Sequence, residues 1–490
     1  MLTKARDFYF GHKLLVNLIV SIVLIFLSSF WFPFMYMLIA FLLVSYWTLS
    51  TNEIISLTMF LMMFSGMILL FVVSAVYTFI VILAKYIIDI KNKKAVILKV
   101  PLILTTAISV VFMTICYKTD VYSIFQGLLI VMLMFFFYVA VANKDNIHLY
   151  GCFKHLLYGM IAASLLGLFF YLVPACKTLA YTNWEIKMMS IKDMMFHFDR
   201  GTFRLSLLSF HINHLAVIML VAAAYAVNSL LTRKGKKDKD LIFLSLLFMF
   251  AMGIGALTLS KTFIVGASFI LLVGIVGGIA KYKLKSLKVI LPILVILGGL
   301  TAIFHEKVFQ VFQRFLGYNF KSILSSITTG RDYIWKLYFD DMITHPLKLV
   351  FGAGLCTSEV VAIGPHSGYV FMFYRFGIVG TIAILGLAVS YYVSLRKNYK
   401  FNIFKLLPLV MILMVSFIEA CFDERFFFFV LAFLFFIEKR KPKTEEVIQE
   451  PVQVQSEDIE QIENSKQKKS VTKSKKHNTI NWLNHIKILK

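Results

Sequence analysis

Charge is scarce in this sequence. Only 16% of its 490 residues are Asp, Glu, Lys or Arg, whereas soluble domains carry about a quarter. With 59% hydrophobic residues and a mean hydropathy of +0.81, the chain falls outside the ordinary soluble class. Acids are scarcer than bases, 26 against 50. The adjacent Asp340 and Asp341 make a poor metal pair, because neighbours on a helix point about 100° apart. Cysteines number five (Cys116, Cys152, Cys176, Cys356, Cys421) and none sits at CxxC or metal-ligand spacing. That excludes a zinc module and a disulfide-stapled scaffold, and buried or interfacial thiols are the expectation. Cys176 and Cys356 both fall in segments read below as external, which leaves a disulfide between them open. No internal repeat is visible, whereas many transporters are built from repeats.

Long apolar runs are what the chain has instead. Runs of about 20 residues recur from Leu14 to Ile437, each long enough to cross a hydrocarbon core ~30 Å thick. In lipid every backbone N–H and C=O must be paired within the structure, and runs of this length do so as helices. The fold expected is an all-α polytopic integral membrane protein. Spans are expected near 14–31, 33–49, 97–116, 122–142, 155–174, 207–232, 241–259, 263–280, 289–304, 367–391, 406–421 and 425–437. The stretch 52–89 is long for one crossing and short for two, with Gly66 as a break. About 12–14 helices result, in a membrane domain over 1–437. The run Phe426–Phe429 is expected to be lipid-facing bulk.

The net charge of +24 is topological rather than a footprint for nucleic acid. Basic residues gather in short loops: Lys85, Lys91, Lys93, Lys94; Arg233, Lys234, Lys236, Lys237; Lys281, Lys283, Lys285, Lys288; and Arg396, Lys397, Lys400. The positive-inside rule keeps such loops in the cytoplasm, so both termini are expected there. The first apolar segment follows Lys4, Arg6 and Lys13 without a small-residue cleavage site and reads as a retained anchor.

Two external segments break the hairpin pattern, 174–206 and 305–365. The first carries Trp184, Glu185, Asp193, His197, Asp199, Arg200 and Arg204. Loops longer than about 15 residues are unusual unless functional or disordered. The second is rich in Phe, Trp, Tyr and Leu, so short helices packed on the membrane surface are expected. The tail 438–490 differs in kind. Thr444–Ser465 has seven acids and no Lys or Arg, and Lys466–Lys490 has eight lysines and no acid. Such blocks mark a solvated, disordered tail, although Ile480–Leu489 has the makings of a weak amphipathic patch for anionic lipid.

The most informative stretch is GRDYIWKLYFDDMITHPLKLVFGAGLCTSEVVAIGPHSGYVFMFYRFGIVG, Gly330–Gly380. A Gly-Arg is followed by Trp335, then His345-Pro346, the turn glycines Gly352 and Gly354, and His366 beside Ser367. Tyr369 and the pair Gly377 and Gly380 follow. Upstream, Arg204 opens RLSLLSFHINHLA with Asn213 and Ala216, and Ser260-Lys261 begins a later span. In this order the elements resemble the O-antigen ligase and Wzy-type polysaccharide polymerase superfamily over roughly 200–437. The first half matches only in general character. Lys261 stands where the family has Arg, Ser367 where Asn is common, and Leu207 where Gly is frequent.

The resemblance implies a GT-C-like, metal-independent glycosyltransferase without cofactor. It would join undecaprenyl diphosphate-linked repeat units into capsular, exopolysaccharide or O-antigen chains at the outer membrane face. A ligase that moves a finished chain to another acceptor needs the same site, and a lipid-linked sugar flippase is the reading from another class. Expected partners are the lipid-linked donor and acceptor, membrane lipids, and chain-length regulator and flippase proteins, with no nucleic acid. The residue chemistry suits this role. Expelling a diphosphate requires fixed positive charge, and Arg204, Lys261 and Arg331 fall near the outer face. Arginine binds two phosphate oxygens at once; Lys keeps the charge and loses the fork. An imidazole of ordinary pKa ~6.5 can take the acceptor's proton, and His366 sits at the outer end of a span. Asn213 and Trp335 complete the expected substrate-binding set. His211 and His214 share a helix face at i,i+3, where packing is the plainer role. His345-Pro346 is expected to end a helix.

Overall fold

The computed structural model describes residues 11–65, 68–116, 121–183, 196–199, 202–208, 212–232, 238–282, 331–354, 366–417 and 426–440. The expected span 289–304, the stretch 305–330, Trp184, Glu185, Asp193, Arg200, His211 and Cys356 lie outside these residues. The chain divides into two units, Met1–Arg440 and Lys441–Lys490; the second also lies outside them.

Helices α1 (Lys13–Ser28), α2 (Pro33–Thr48) and α3 (Thr51–Leu61) open the bundle. Pro33 supplies the preset φ of a first helical turn. Ser50 and Glu53 close a capping box: the Glu53 amide donates to Ser50 Oγ at 3.3 Å, and the Ser50 amide to the Glu53 carboxylate at 2.8 Å. After a 3-10 turn at Met62–Phe64 comes α4 (Ile68–Lys91), so the stretch 52–89 holds two helices. Next are α5 (Lys99–Cys116), α6 (Val121–Ala142) and α7 (Leu149–Leu172). Helix α7 starts six residues before the expected span because Lys154 and His155 are accommodated. Lys154 Nζ lies 5.6 Å over the Tyr158 ring, and His155 Nδ1 lies 2.7 Å from Gly151 O. Long side chains of this kind keep their polar ends in satisfied surroundings while the helix continues.

The segment 174–206, expected outside the membrane, has structure of its own. It contains α8 (Pro174–Asn183) and a hairpin of β1 (Phe196–Asp199) and β2 (Thr202–Leu205), in which His197 pairs with Arg204. Helix α9 (Ile212–Thr232) begins at 212 rather than 207, and Leu207, with φ 49°, is not helical. Cys176 is a free thiol, and no disulfide forms among the described residues.

Helix α9 is the axis of the bundle. It is apolar on all sides and buried almost throughout, the signature of a helix enclosed by others. Its neighbours α10 (Asp238–Leu257) and α11 (Lys261–Tyr282) approach closely through small residues. A Cβ on Gly266 would meet Leu220 at 2.8 Å, and one on Gly277 would meet Leu231 at 2.8 Å. Close backbone approach of this kind drives helix association in lipid.

Short helices α12 (Arg331–Thr344) and α13 (Pro346–Phe351) precede α14 (Gly368–Leu395). The chain then forms β3 (Tyr399–Phe401), a 3-10 turn at Ile403–Lys405, α15 (Leu407–Ser416), α16 (Phe426–Phe436) and β4 (Ile437–Lys439). Strands β3 and β4 pair antiparallel, so Glu438 and Lys439 belong to the folded unit. The expectation for Phe426–Phe429 is corrected here. Phe427 and Phe428 are buried, and Phe427 stacks on Phe136 with centroids 5.1 Å apart. Composition cannot tell lipid contact from ring packing, because both reward the same residues.

Among the described residues, five helices are long and apolar enough to cross a membrane: Leu149–Leu172, Ile212–Thr232, Lys239–Leu257, Lys261–Lys281 and Gly368–Leu395. The outer surface agrees. On α14, Ile378, Ile382, Leu385, Val389 and Val393 are all exposed at helical spacing. So long an apolar stripe is an aggregation hazard in water and is well solvated by hydrocarbon.

Candidate functional site

Three of the nominated residues come together at the start of α9. Arg204 closes β2, Asn213 lies in the first turn of α9, and Lys261 opens α11. Arg204 Nε donates to Thr258 O at 2.9 Å, and its terminal nitrogen to Asn213 Oδ1 at 3.4 Å. Ser260 Oγ donates to the same Asn213 oxygen at 3.3 Å. Asn213 therefore ties the hairpin arginine to the turn that precedes Lys261. These bonds go to neutral oxygens and orient the guanidinium.

Backbone strain marks the same places. The described non-glycine residues with positive φ are Lys93 (58°), Leu207 (49°), Leu259 (49°) and His366 (55°). Leu207 follows Arg204 and Leu259 precedes Ser260-Lys261, while His366 is itself a nominated residue. Left-handed backbone is costly for a branched side chain and gathers where function over-determines the geometry.

The remaining nominated residues lie on α12 and just before α14. Asn228, near the far end of α9, donates through Nδ2 to Phe404 O, and Phe404 follows the strand reached from the end of α14. Tyr369 OH donates to Leu413 O at 2.8 Å, joining the start of α14 to the later turns of α15. Trp335 meets Phe417 edge to face at 5.3 Å, which brings α12 and Arg331 alongside. His366 is exposed, and the Ser367 hydroxyl caps α14 by accepting from Val370 N at 3.4 Å. Arg331 is half-buried at the first position of α12. Trp335 is buried, its ring occupied in packing rather than open to a ligand. His214 is half-buried on α9.

A second polar cluster went unread in the sequence. Asp341, set aside above as a metal ligand, is buried and accepts from Tyr374 OH at 2.7 Å and from Lys348 Nζ at 3.1 Å to each oxygen. His345 Nδ1 lies 3.1 Å from the same carboxylate. Burial alone would raise the Asp341 pKa; the Tyr374 and Lys348 hydrogen bonds and the Lys348 and His345 charges outweigh it and hold the pKa below its ordinary value. The spacings 341, 345 and 348 follow one helical face and offered a signal, but α12 ends at Thr344 and Tyr374 gave none. Pro346 starts α13, with His345 preceding it.

The cluster braces a break in α14. Gly377 has φ 61° and ψ −164° inside that helix. Beside the break, the carbonyls of Tyr374 and Arg375 accept from Ala353 N at 2.8 Å and Gly354 N at 3.1 Å. Gly352 has φ 84°, and a Cβ on Gly377 would lie 2.6 Å from Val350 O. Both glycines are required by conformation and by space. Arg375 is buried next to the break, its guanidinium carbon 3.4 Å from the Phe371 ring centroid, a cation that the sequence reading missed.

The described residues offer an oriented guanidinium tied to the turn that precedes Lys261 and, on another element, an exposed imidazole at His366, groups of the kinds suited to an anionic leaving group and a proton acceptor. A cavity of about 1180 Å³ lies at the opposite end from Arg204, between α9, α11 and α15. Compared with protein-family models, curated proteins and solved structures, the chain matches none.

Proposed function

We propose that this protein is a polytopic glycosyltransferase of the bacterial cytoplasmic membrane. In this reading it polymerises undecaprenyl diphosphate-linked repeat units at the outer face, with both termini in the cytoplasm. The observation that carries the proposal is the junction of Arg204, Asn213 and the 258–261 turn. The resemblance nominates these positions from separate parts of the chain, and hydrogen bonds join them. Leu207 adds to this: the position where the family frequently has Gly adopts a left-handed backbone.

The division of labour follows from the groups. Arg204, Lys261 and Arg331 hold the diphosphate and stabilise the charge it gains as the glycosidic bond to it breaks. His366 takes the acceptor hydroxyl proton as the oxygen attacks the anomeric carbon. Asn213 orients Arg204. Lys281, Lys405 and Lys439 lie at the other end of α9 from Arg204, which supports an outward site under the positive-inside rule.

The test uses purified protein with a lipid diphosphate-linked oligosaccharide of defined length. Products lengthened by whole repeat units are expected from the wild type, with His366→Ala reduced about 10²–10⁴-fold while still binding donor. Tags after Arg233 and Lys490 should report cytoplasm and a tag near Trp184 the exterior. Unchanged product from His366→Ala removes that histidine from the mechanism, and a cytoplasmic Trp184 refutes the outward site.

A further inference from the structure

The cavity at the basic end has two kinds of wall. Phe269, Leu272, Val273 and Val276 of α11 make an apolar side. Leu272 and Val276 are 58% and 57% exposed, so this side opens laterally onto the apolar outer surface rather than onto water alone. One end of the hollow is polar and carries Thr232, Lys281, Asn402, Lys405 and Glu438.

Cations dominate that end. Lys281 Nζ donates to Leu231 O, and Lys405 Nζ lies 3.8 Å from Glu438 and 5.4 Å over the Phe435 ring. The Glu438 carboxylate also accepts from Asn402 Nδ2 at 2.6 Å, so it is already satisfied within the fold. Lys144 and Lys400 add positive charge beside it, and Asp145 is taken up by Lys439 at 2.9 Å. The balance at the lip favours an anion.

We propose that this cavity binds one anionic phospholipid, with its phosphate at Lys281 and Lys405 and one acyl chain along α11 past Val276 and Leu272. The dimensions fit. Lys281 and Phe269 are twelve residues apart on α11, about 18 Å at 1.5 Å per residue, close to half of a hydrocarbon core ~30 Å thick. A soluble phosphate compound would use the cations and leave the laterally open wall without purpose. Juxtamembrane lysines are the groups that select anionic headgroups. The inference rests on the membrane reading and not on the glycosyl transfer reading.

Native mass spectrometry of detergent-solubilised protein tests it. Phosphatidylglycerol and phosphatidylcholine with identical chains are titrated separately, then together with free glycerol phosphate. One phosphatidylglycerol per chain is expected, retained at roughly tenfold lower concentration than phosphatidylcholine and undisturbed by glycerol phosphate. The double variant Lys281→Ala/Lys405→Ala should erase the headgroup preference, and Leu272→Trp, which fills the apolar wall, should weaken retention of both lipids. If the double variant is not monodisperse, Lys405→Gln and Leu272→Trp carry the same test. Equal retention of the two lipids, a preference that survives these variants, or displacement by glycerol phosphate overturns the proposal. A protein monodisperse without detergent that takes up no lipid overturns the membrane reading itself, a separate outcome.

Discussion

Two polar clusters in this protein are built on opposite rules. Around Asp341 every group answers another: a buried carboxylate meets a lysine, a tyrosine hydroxyl and an imidazole within 3.1 Å. Around Arg204 the described hydrogen bonds join a cation to a backbone carbonyl and a side-chain amide. The first arrangement neutralises its charge inside the fold and braces the broken helix α14. The second orients a charge through neutral acceptors. The difference separates two ways of fixing a charge here: by opposite charge around Asp341, and through neutral acceptors around Arg204.

The sharpest way to break that division is to truncate one member of each cluster. Arg204→Ala is expected to fold normally and to lose donor binding and turnover, the latter by ~10²–10³-fold, as when one preorganised electrostatic donor is removed. Binding of a lipid diphosphate donor and product formation should be measured separately on the monodisperse variant. Misfolding with Arg204→Ala would make its cluster architectural as well, and the distinction would collapse.

Gly377→Ala probes the brace. The added methyl would need a left-handed backbone and would press on Val350 O, so destabilisation beyond about 2 kcal/mol is expected. Thermal unfolding of the solubilised protein measures it; an unchanged midpoint would show that the break relaxes without Gly.

Asp341→Ala should cost about 1–3 kcal/mol, since it leaves the Tyr374 hydroxyl without this acceptor. The same carboxylate sets a pH dependence. Its folded pKa is depressed, so its stabilisation is present in full above the ordinary carboxylate range and is lost as pH falls through the folded value. Unfolding midpoints of wild type should therefore drop toward acid more steeply than those of Asp341→Asn. Parallel curves would mean that the ion pair contributes nothing.

The smallest effect expected is none. With cations supplying the charge stabilisation, EDTA should leave turnover of the wild type unchanged; loss with chelator and recovery with magnesium would assign that role to a metal.

Much of this was legible in the chain, and for a physical reason. Hydrocarbon admits few backbone solutions, so apolar runs such as Ile212–Thr232 and Lys261–Tyr282 declare themselves as helices by length alone. The motif order also placed Arg204, Asn213 and Lys261 on one list before any geometry joined them. The failures have a common cause. The burial of Phe427, the start of α9 at Ile212, the hairpin before it, and the partnership of Asp341 with Tyr374 depend on which surfaces meet. Apolar content reports that a residue avoids water, not whether lipid or another ring replaces the water. A single carboxylate in the sequence likewise reveals nothing of a partner 33 positions away. By itself the sequence determined the helical class and the end of the bundle where charge gathers, because both follow from solvation of individual segments. Only tertiary packing decided which groups each charge meets, because that depends on distances between segments.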